Sequence, residues 1–390
     1  MSNIPTVNSQ PTFYWHLEVS SKCTLECPRC PRTEKPGMYT VTEHDLNFVK
    51  KVLTQDILSS TTGVLICGGQ GDPIYCKELL DIISYIKKSN NKISIKLITN
   101  GSYKTVKWWE TLSSILDNND SVVFSVDGWN DESNNKYRVN SNFESIINGV
   151  KTLSKNKDIN IIWSTIVFSF NEHQLEKIQN IAEDCGATYF QLVQSSLFGS
   201  NIKSYIDETL GYDPLEPTYK GKFFHSDRGL IIPLKPTAKK MSSERFRKNL
   251  QELYNNIKND FDNSDLLPSC LLNERGLYVD AEGILYPCSW ISHPFGERTN
   301  EKKTIKWKES LFVKHKDAFN LHNHNLNTIL NSDEWNKLHS SFYNKDKHFI
   351  ECSQKCSKKA TLSRIKNYLS IKDFDKENSP DTNLEIYNKG

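Results

Sequence analysis

The chain has 390 residues, enough for two domains and a sizeable core. Its formal net charge is +2, which gives no electrostatic reason to expect nucleic acid or an anionic membrane as a partner. No apolar run reaches the length of a membrane span and the first ten residues show no export signal, so a cytoplasmic location is expected, where the ten cysteines are not expected to form disulfides and metal or cluster ligation is favoured.

Residues 1–12 are polar, with two prolines, and predict a flexible arm. Phe13 to Val19 alternates like a strand, with Trp15, Leu17 and Val19 on one side and Tyr14, His16 and Glu18 on the other. The next feature is Cys23-Thr24-Leu25-Glu26-Cys27-Pro28-Arg29-Cys30, a C-x3-C-x2-C pattern. Soft thiolates select iron–sulfur clusters, and three close cysteines hold three irons of a [4Fe–4S] cube. The fourth iron is then open to a substrate or cofactor. Zinc is the alternative, although it usually takes four ligands in C-x2-C pairs.

Beyond the cysteines, Thr42 to Asp45 reads as a helix N-cap with an acid three residues on, and Leu46, Val49, Leu53 and Ile57 follow at helical spacing. Strand 63–67 ends in Gly68-Gly69-Gln70-Gly71-Asp72-Pro73. After a helix on Leu79, Ile82, Ile83 and Ile86, strand 93–98 ends in Thr99-Asn100-Gly101. A third helix carries Val106, Trp109, Leu112 and Leu116, and strand 121–126 ends in Asp127-Gly128. A fourth carries Phe143, Ile146, Ile147 and Val150, before strand 161–168. Asn171 to Gln174 caps a fifth helix stopped by Gly186, and strand 188–193 closes the series. Six strands alternating with helices predict parallel, right-handed βα units, with a site at the strands' C-terminal ends. Cys67, Cys76 and Cys185 lack partner spacing and read as buried structural cysteines.

The cysteine spacing and the strand-end motifs together resemble the radical S-adenosylmethionine (SAM) superfamily. The resemblance implies an α/β fold with a partial (β/α)6 barrel over residues 13–198. It also implies a [4Fe–4S] cluster on Cys23, Cys27 and Cys30 whose open iron chelates the amino and carboxylate groups of SAM. An external electron donor such as flavodoxin or ferredoxin is then required. By the same resemblance, the backbone of Gly68, Gly69, Gln70 and Asp72 meets the SAM amino group, where glycine lets main chain approach a ligand. Gln70 and Asp72 stand where many members have a Glu. Thr99, Asn100, Ser125 and Asp127 reach the ribose or methionyl part, and Gln191 borders the adenine. Arg138 is a candidate for the SAM carboxylate, against a surface ion pair. Arg29 replaces a common aromatic residue and is a candidate to stack on the adenine.

Residues 199–262 alternate Pro, Gly and charge and predict a linker with one amphipathic helix over 239–258. Residues 277–287 read as a β-hairpin around Asp280-Ala281-Glu282-Gly283, with Cys270 before it and Cys288 after it. A C-x3-C pair, Cys352 and Cys356, lies downstream. This arrangement resembles the twitch domain, the shortened SPASM domain. The implied second domain, residues 263–360, is a small α+β (hairpin plus helix) unit holding an auxiliary [4Fe–4S] cluster on Cys270, Cys288, Cys352 and Cys356. A Zn(Cys)4 site is the alternative. Residues 361–390 read as a tail.

An auxiliary cluster suits oxidation, so the expected activity is that of an oxidoreductase dehydrogenating a small polar metabolite such as a sugar or cyclitol. A peptide-modifying enzyme is the alternative, and a non-catalytic iron–sulfur or zinc protein a third reading. Strand one starts near residue 13, so the leader-binding domain that many peptide-modifying relatives carry is not expected ahead of it, which lowers the peptide reading but leaves open a leader bound by a separate protein. His225, His293, Glu297 and Arg298 are weighed as a general base for alcohol oxidation, and a surface role is preferred for each.

Overall fold

The structure, a computed structural model, describes residues 13–34, 36–37, 40–193, 206–210, 212–218, 230–235, 251–252, 254–256, 258–259, 277–292, 310–341, 349, 351–352, 356–359 and 361–362. In chain order the main elements are β1 (Phe13–Leu17), α1 (Leu46–Val52), α2 (Gln55–Ser60), β2 (Thr61–Ile66), α3 (Leu79–Ser89), β3 (Ser94–Thr99), α4 (Val106–Ile115) and β4 (Ser121–Ser125). There follow α5 (Phe143–Leu153), β5 (Asn160–Ile166), α6 (Leu175–Asp184), β6 (Tyr189–Val193), β7 (Leu230–Pro233), β8 (Leu277–Val279), β9 (Leu285–Tyr286), α7 (Leu326–Leu330) and α8 (Asp333–Ser341). The fold class is α/β, with the six expected strands β1–β6 alternating with helices. Helices of fewer than six residues also occur, among them Pro31–Glu34 and Asp131–Asn135.

The chain divides into two compact units. One comprises Met1–Lys22, Tyr39–Ile95 and Ser242–Ser370. In it β1 pairs in parallel with β2, setting Trp15 opposite Val64 and Leu17 opposite Ile66. All four side chains are buried, as fits a parallel strand covered on both faces. The other edge of β1 pairs in parallel with β8, with Leu17 opposite Val279, and β9 folds back on β8. The hairpin expected around Asp280 is therefore present. Its turn works because Gly283 takes φ +82 and Asp280 Oδ1 accepts from the N–H groups of Glu282 and Ile284. Its union with β1 is not an expectation of the sequence.

Two helix starts in the sequence reading need correction. Asp45, not Thr42, caps α1: its Oδ1 accepts from Phe48 N–H at 2.7 Å, while Ser21 and Thr42 exchange backbone and hydroxyl bonds instead. The apolar repeat through Ile57 is two helices rather than one, because Leu53 leaves helical geometry and Thr54 caps α2.

The second unit comprises Cys23–Met38, Lys96–Met241 and Ile371–Gly390. Here β3, β4, β5 and β6 pair successively in parallel, and β7 adds antiparallel to β6. Trp109 of α4 packs on Phe124 of β4 at 5.2 Å between ring centroids, and Gly149 of α5 is glycine because a Cβ there would meet the Trp109 ring. Asn171 does not cap α6. Its amide donates to Asp127 O and Ile166 O, and its Oδ1 accepts from Phe168 N–H, so it ties the ends of β4 and β5 together. Gln174 takes the capping position without a side-chain bond, and Gly186, at φ +87, ends the helix turn as expected. The amphipathic stretch 239–258 lies largely outside the described residues; its described positions are helical.

Candidate functional site

The cysteine loop belongs to the second unit and folds on an apolar floor. Leu25, Cys27, Tyr137 and Phe168 form a buried cluster, and Cys23 and Cys30 pack against it. The loop is held by backbone bonds: Glu26 N–H to Val139 O at 3.1 Å, Cys30 N–H to Cys27 O at 3.0 Å, and Thr33 and Glu34 N–H to Cys30 O at 2.9 Å. Two N–H groups reach the Cys23 sulfur, Leu25 N–H at 3.4 Å and Asn100 Nδ2 at 3.6 Å. Such donors tune thiolate ligands of clusters. No described cysteine is in a disulfide.

Beside the loop stands a buried ion pair. Arg138 Nε donates to Asp127 Oδ2 at 2.6 Å, and Asp127 Oδ1 accepts from Ile166 N–H at 2.7 Å. Asp127 is fully buried, so the surface-pair reading of Arg138 does not hold. Burial pushes the Cys27 thiol up, while the Arg138 charge pulls it down. The partner charge of Asp127 keeps Arg138 protonated despite burial. The arrangement delivers one fixed positive charge to a loop of three thiols. That donor set fits an iron–sulfur cluster, whose ligands must be thiolates. Among the described residues, no three His, Cys, Asp or Glu side chains converge as ligands of a single metal ion.

The remaining expected contacts fall as follows. Thr99 Oγ1 accepts from Gly101 N–H and Asn100 Oδ1 from Ser102 N–H, which shape the turn after β3. Ser125 and Gln191 are half-buried on β4 and β6. Arg29 is buried in an ion pair with Asp213, a partner from the segment 212–218 that carries no motif.

In the first unit, the loop Gly68–Asp72 folds onto Glu18. Glu18 Oε1 accepts from Gln70 N–H at 2.5 Å and from Gly71 N–H at 3.0 Å. A Cβ on Gly71 would collide with the backbone of Ser20 and Ser21. The glycine here thus serves loop-to-strand packing. Asp72 caps the short helix Pro73–Tyr75 through Ile74 N–H. Gln70 is buried, and its Oε1 has no hydrogen-bond partner among the described residues.

Cys288 and Cys356 are half-buried and Cys352 is buried. Cys270 lies outside the described residues, as do His225, His293, Glu297 and Arg298. Cys76 and Cys185 are buried as expected; Cys67 is half-buried, just past the end of β2.

Residues 17–184 match the family model described as Radical SAM superfamily. The three-cysteine loop lies inside the matched stretch. No curated protein matches the chain. Similar solved structures include anSMEcpe with bound AdoMet and Cp18Cys peptide, at 17% identity over 84% of this chain and 82% of that one, with TM-score 0.44. Streptococcus suis SuiB bound to S-adenosylmethionine is 11% identical over 74% of this chain and 62% of that one, with TM-score 0.46. BtrN in complex with AdoMet and 2-DOIA is 11% identical over 86% and 88%, with TM-score 0.41. No described helix is long and apolar enough to cross a membrane.

Proposed function

We propose that the protein is a radical SAM enzyme that binds a [4Fe–4S] cluster on Cys23, Cys27 and Cys30 and cleaves SAM to abstract hydrogen from a substrate. The observation that carries this reading is the three-cysteine loop, with its N–H···S donors and the Arg138 charge, inside a stretch that matches the radical SAM family. When bound, cluster and SAM supply a one-electron reduction that releases methionine and a hydrogen-abstracting deoxyadenosyl radical. The chain's residues do the rest. Cys23, Cys27 and Cys30 hold three irons, and the apolar cluster around Cys27 excludes water. Asp127 holds Arg138 in an ion pair, and the Arg138 charge favours the Cys27 thiolate. In this reading Gly68, Gly69, Gln70 and Asp72 bind the SAM amino end, while Thr99, Asn100, Ser125 and Gln191 border its methionyl and nucleoside parts.

The net reaction in this reading is dehydrogenation of a small polar metabolite; Cys270, Cys288, Cys352 and Cys356 would hold an auxiliary cluster, which would supply the electron acceptor that the oxidation needs. What supports it is the cysteine-flanked hairpin β8–β9, with Gly283 five positions before Cys288. An iron and sulfide count on anaerobically reconstituted protein tests this part. About eight irons per chain are expected. About four irons with bound zinc would remove the electron acceptor and the dehydrogenase with it.

A further inference from the structure

We propose that Glu18 is the positioning residue of the glycine-rich loop, and that Tyr278, from the C-terminal hairpin, fixes Glu18 so that the hairpin governs how tightly the loop binds an ammonium group. This rests on the reading of that loop as the SAM amino subsite, and it adds what sets the loop's geometry.

Glu18 is fully buried immediately after β1. One carboxylate oxygen takes the N–H groups of Gln70 and Gly71. The other accepts from the Tyr278 hydroxyl, itself fully buried. The backbone repeats the link, since Glu18 N–H donates to Val279 O at 2.9 Å. Gly68 closes the loop on itself: a Cβ there would run into the backbone of Gly71, with Glu18 Oε1 next at 3.0 Å.

The consequence is chemical. The N–H groups of Gln70 and Gly71 are spent on Glu18 and cannot serve a ligand. The loop's remaining polar resource includes the buried Gln70 Oε1, an acceptor with no partner among the described residues. A buried acceptor without a partner is costly, and a donor such as an ammonium group satisfies it. Burial pushes the Glu18 carboxyl up to about 7, with Tyr278 and the loop N–H groups opposing and Asp280 adding to the rise. A carboxylate kept at this cost, and hydrogen-bonded on both oxygens, fixes the loop in one conformation.

The test is the SAM dissociation constant of full-length, anaerobically reconstituted wild type, Tyr278→Phe, Glu18→Gln and Tyr286→Phe, with iron content and melting temperature measured alongside. Tyr286 lies on the same hairpin opposite Tyr278, while the Glu18 carboxylate bonds Tyr278, Gln70 and Gly71. Tyr278→Phe is expected to weaken SAM binding about tenfold at unchanged iron content, the loss of one hydrogen bond to a charged group. Tyr286→Phe is expected to leave SAM affinity unchanged. If Tyr278→Phe binds SAM as wild type does, or if both tyrosine variants lose affinity equally, the inference is overturned. A Glu18→Gln that fails to fold leaves the two tyrosine variants to decide. If cluster-loaded wild type itself binds no SAM, the reading of the site fails, and this inference with it.

Discussion

Arg138 donates through Nε to Asp127 at 2.6 Å, and its charge pulls the Cys27 thiol down against the effect of burial, so one guanidinium serves both a buried carboxylate and a cluster-ligand candidate. Removing the cation leaves Asp127 buried without its ion partner. Arg138→Gln is expected to destabilise the protein by about 3–5 kcal/mol. Urea denaturation checks it; a loss under about 1 kcal/mol would mean that the pair is not structural. The double variant Asp127→Asn/Arg138→Gln is expected to recover most of the loss, because it leaves no lone buried charge.

Glu18 gives a pH prediction. Its carboxyl is raised from 4.5 to about 7, chiefly by burial, so between those values the folded state holds a proton that the unfolded chain has released. That contribution to stability is whole below about 4.5 and is lost as pH rises to about 7. Asp280, raised to about 7, acts in the same sense, and His44, lowered to about 4, acts in the opposite one. Glu18→Gln removes only the first. Relative to wild type it is expected to gain stability as pH rises through this window, by up to about 3 kcal/mol, and to level off above it. Melting temperatures of both proteins across the window check this. A constant difference would show that Glu18 does not titrate there.

Gly71→Ala places a methyl group into the backbone of Ser20 and Ser21. Neither side is a flexible side-chain end, so the loop must move. A loss of about 2 kcal/mol or more is expected, together with weaker SAM binding. Unchanged stability would mean that the loop packs otherwise.

Much of this was legible in the chain, and the reasons are physical. The strands β1 to β6 are marked by apolar runs, and the turns by Asn100, Gly101, Gly128 and Gly186, whose positions follow from local rules of sequence. The loop Cys23–Cys30 is a spacing signal. Partners far apart in sequence were not legible. Glu18 with Tyr278, and Arg29 with Asp213, join residues 260 and 184 positions apart. No periodicity encodes such pairs, and an acidic residue at an alternating strand position reads as solvent-facing until the fold buries it. The parallel pairing of β8 with β1 is hidden for the same reason. Helix starts at Asp45 and Thr54 were misplaced because several capping residues lie close together and only the backbone selects among them.

Replacing Cys288 by Ala is expected to lower iron content by about half while leaving SAM cleavage detectable, since the auxiliary cluster is proposed to stand apart from the cleavage step. Unchanged iron would remove Cys288 from the ligand set.

The central claim is tested most directly by 5′-deoxyadenosine production. Anaerobically reconstituted protein is reduced, given SAM and assayed for 5′-deoxyadenosine and methionine, beside Cys27→Ala. The account predicts both products from wild type and neither from Cys27→Ala, which lacks one of three anchors of the cluster. Cluster-loaded wild type that leaves SAM intact, or Cys27→Ala that still cleaves it, would contradict the account.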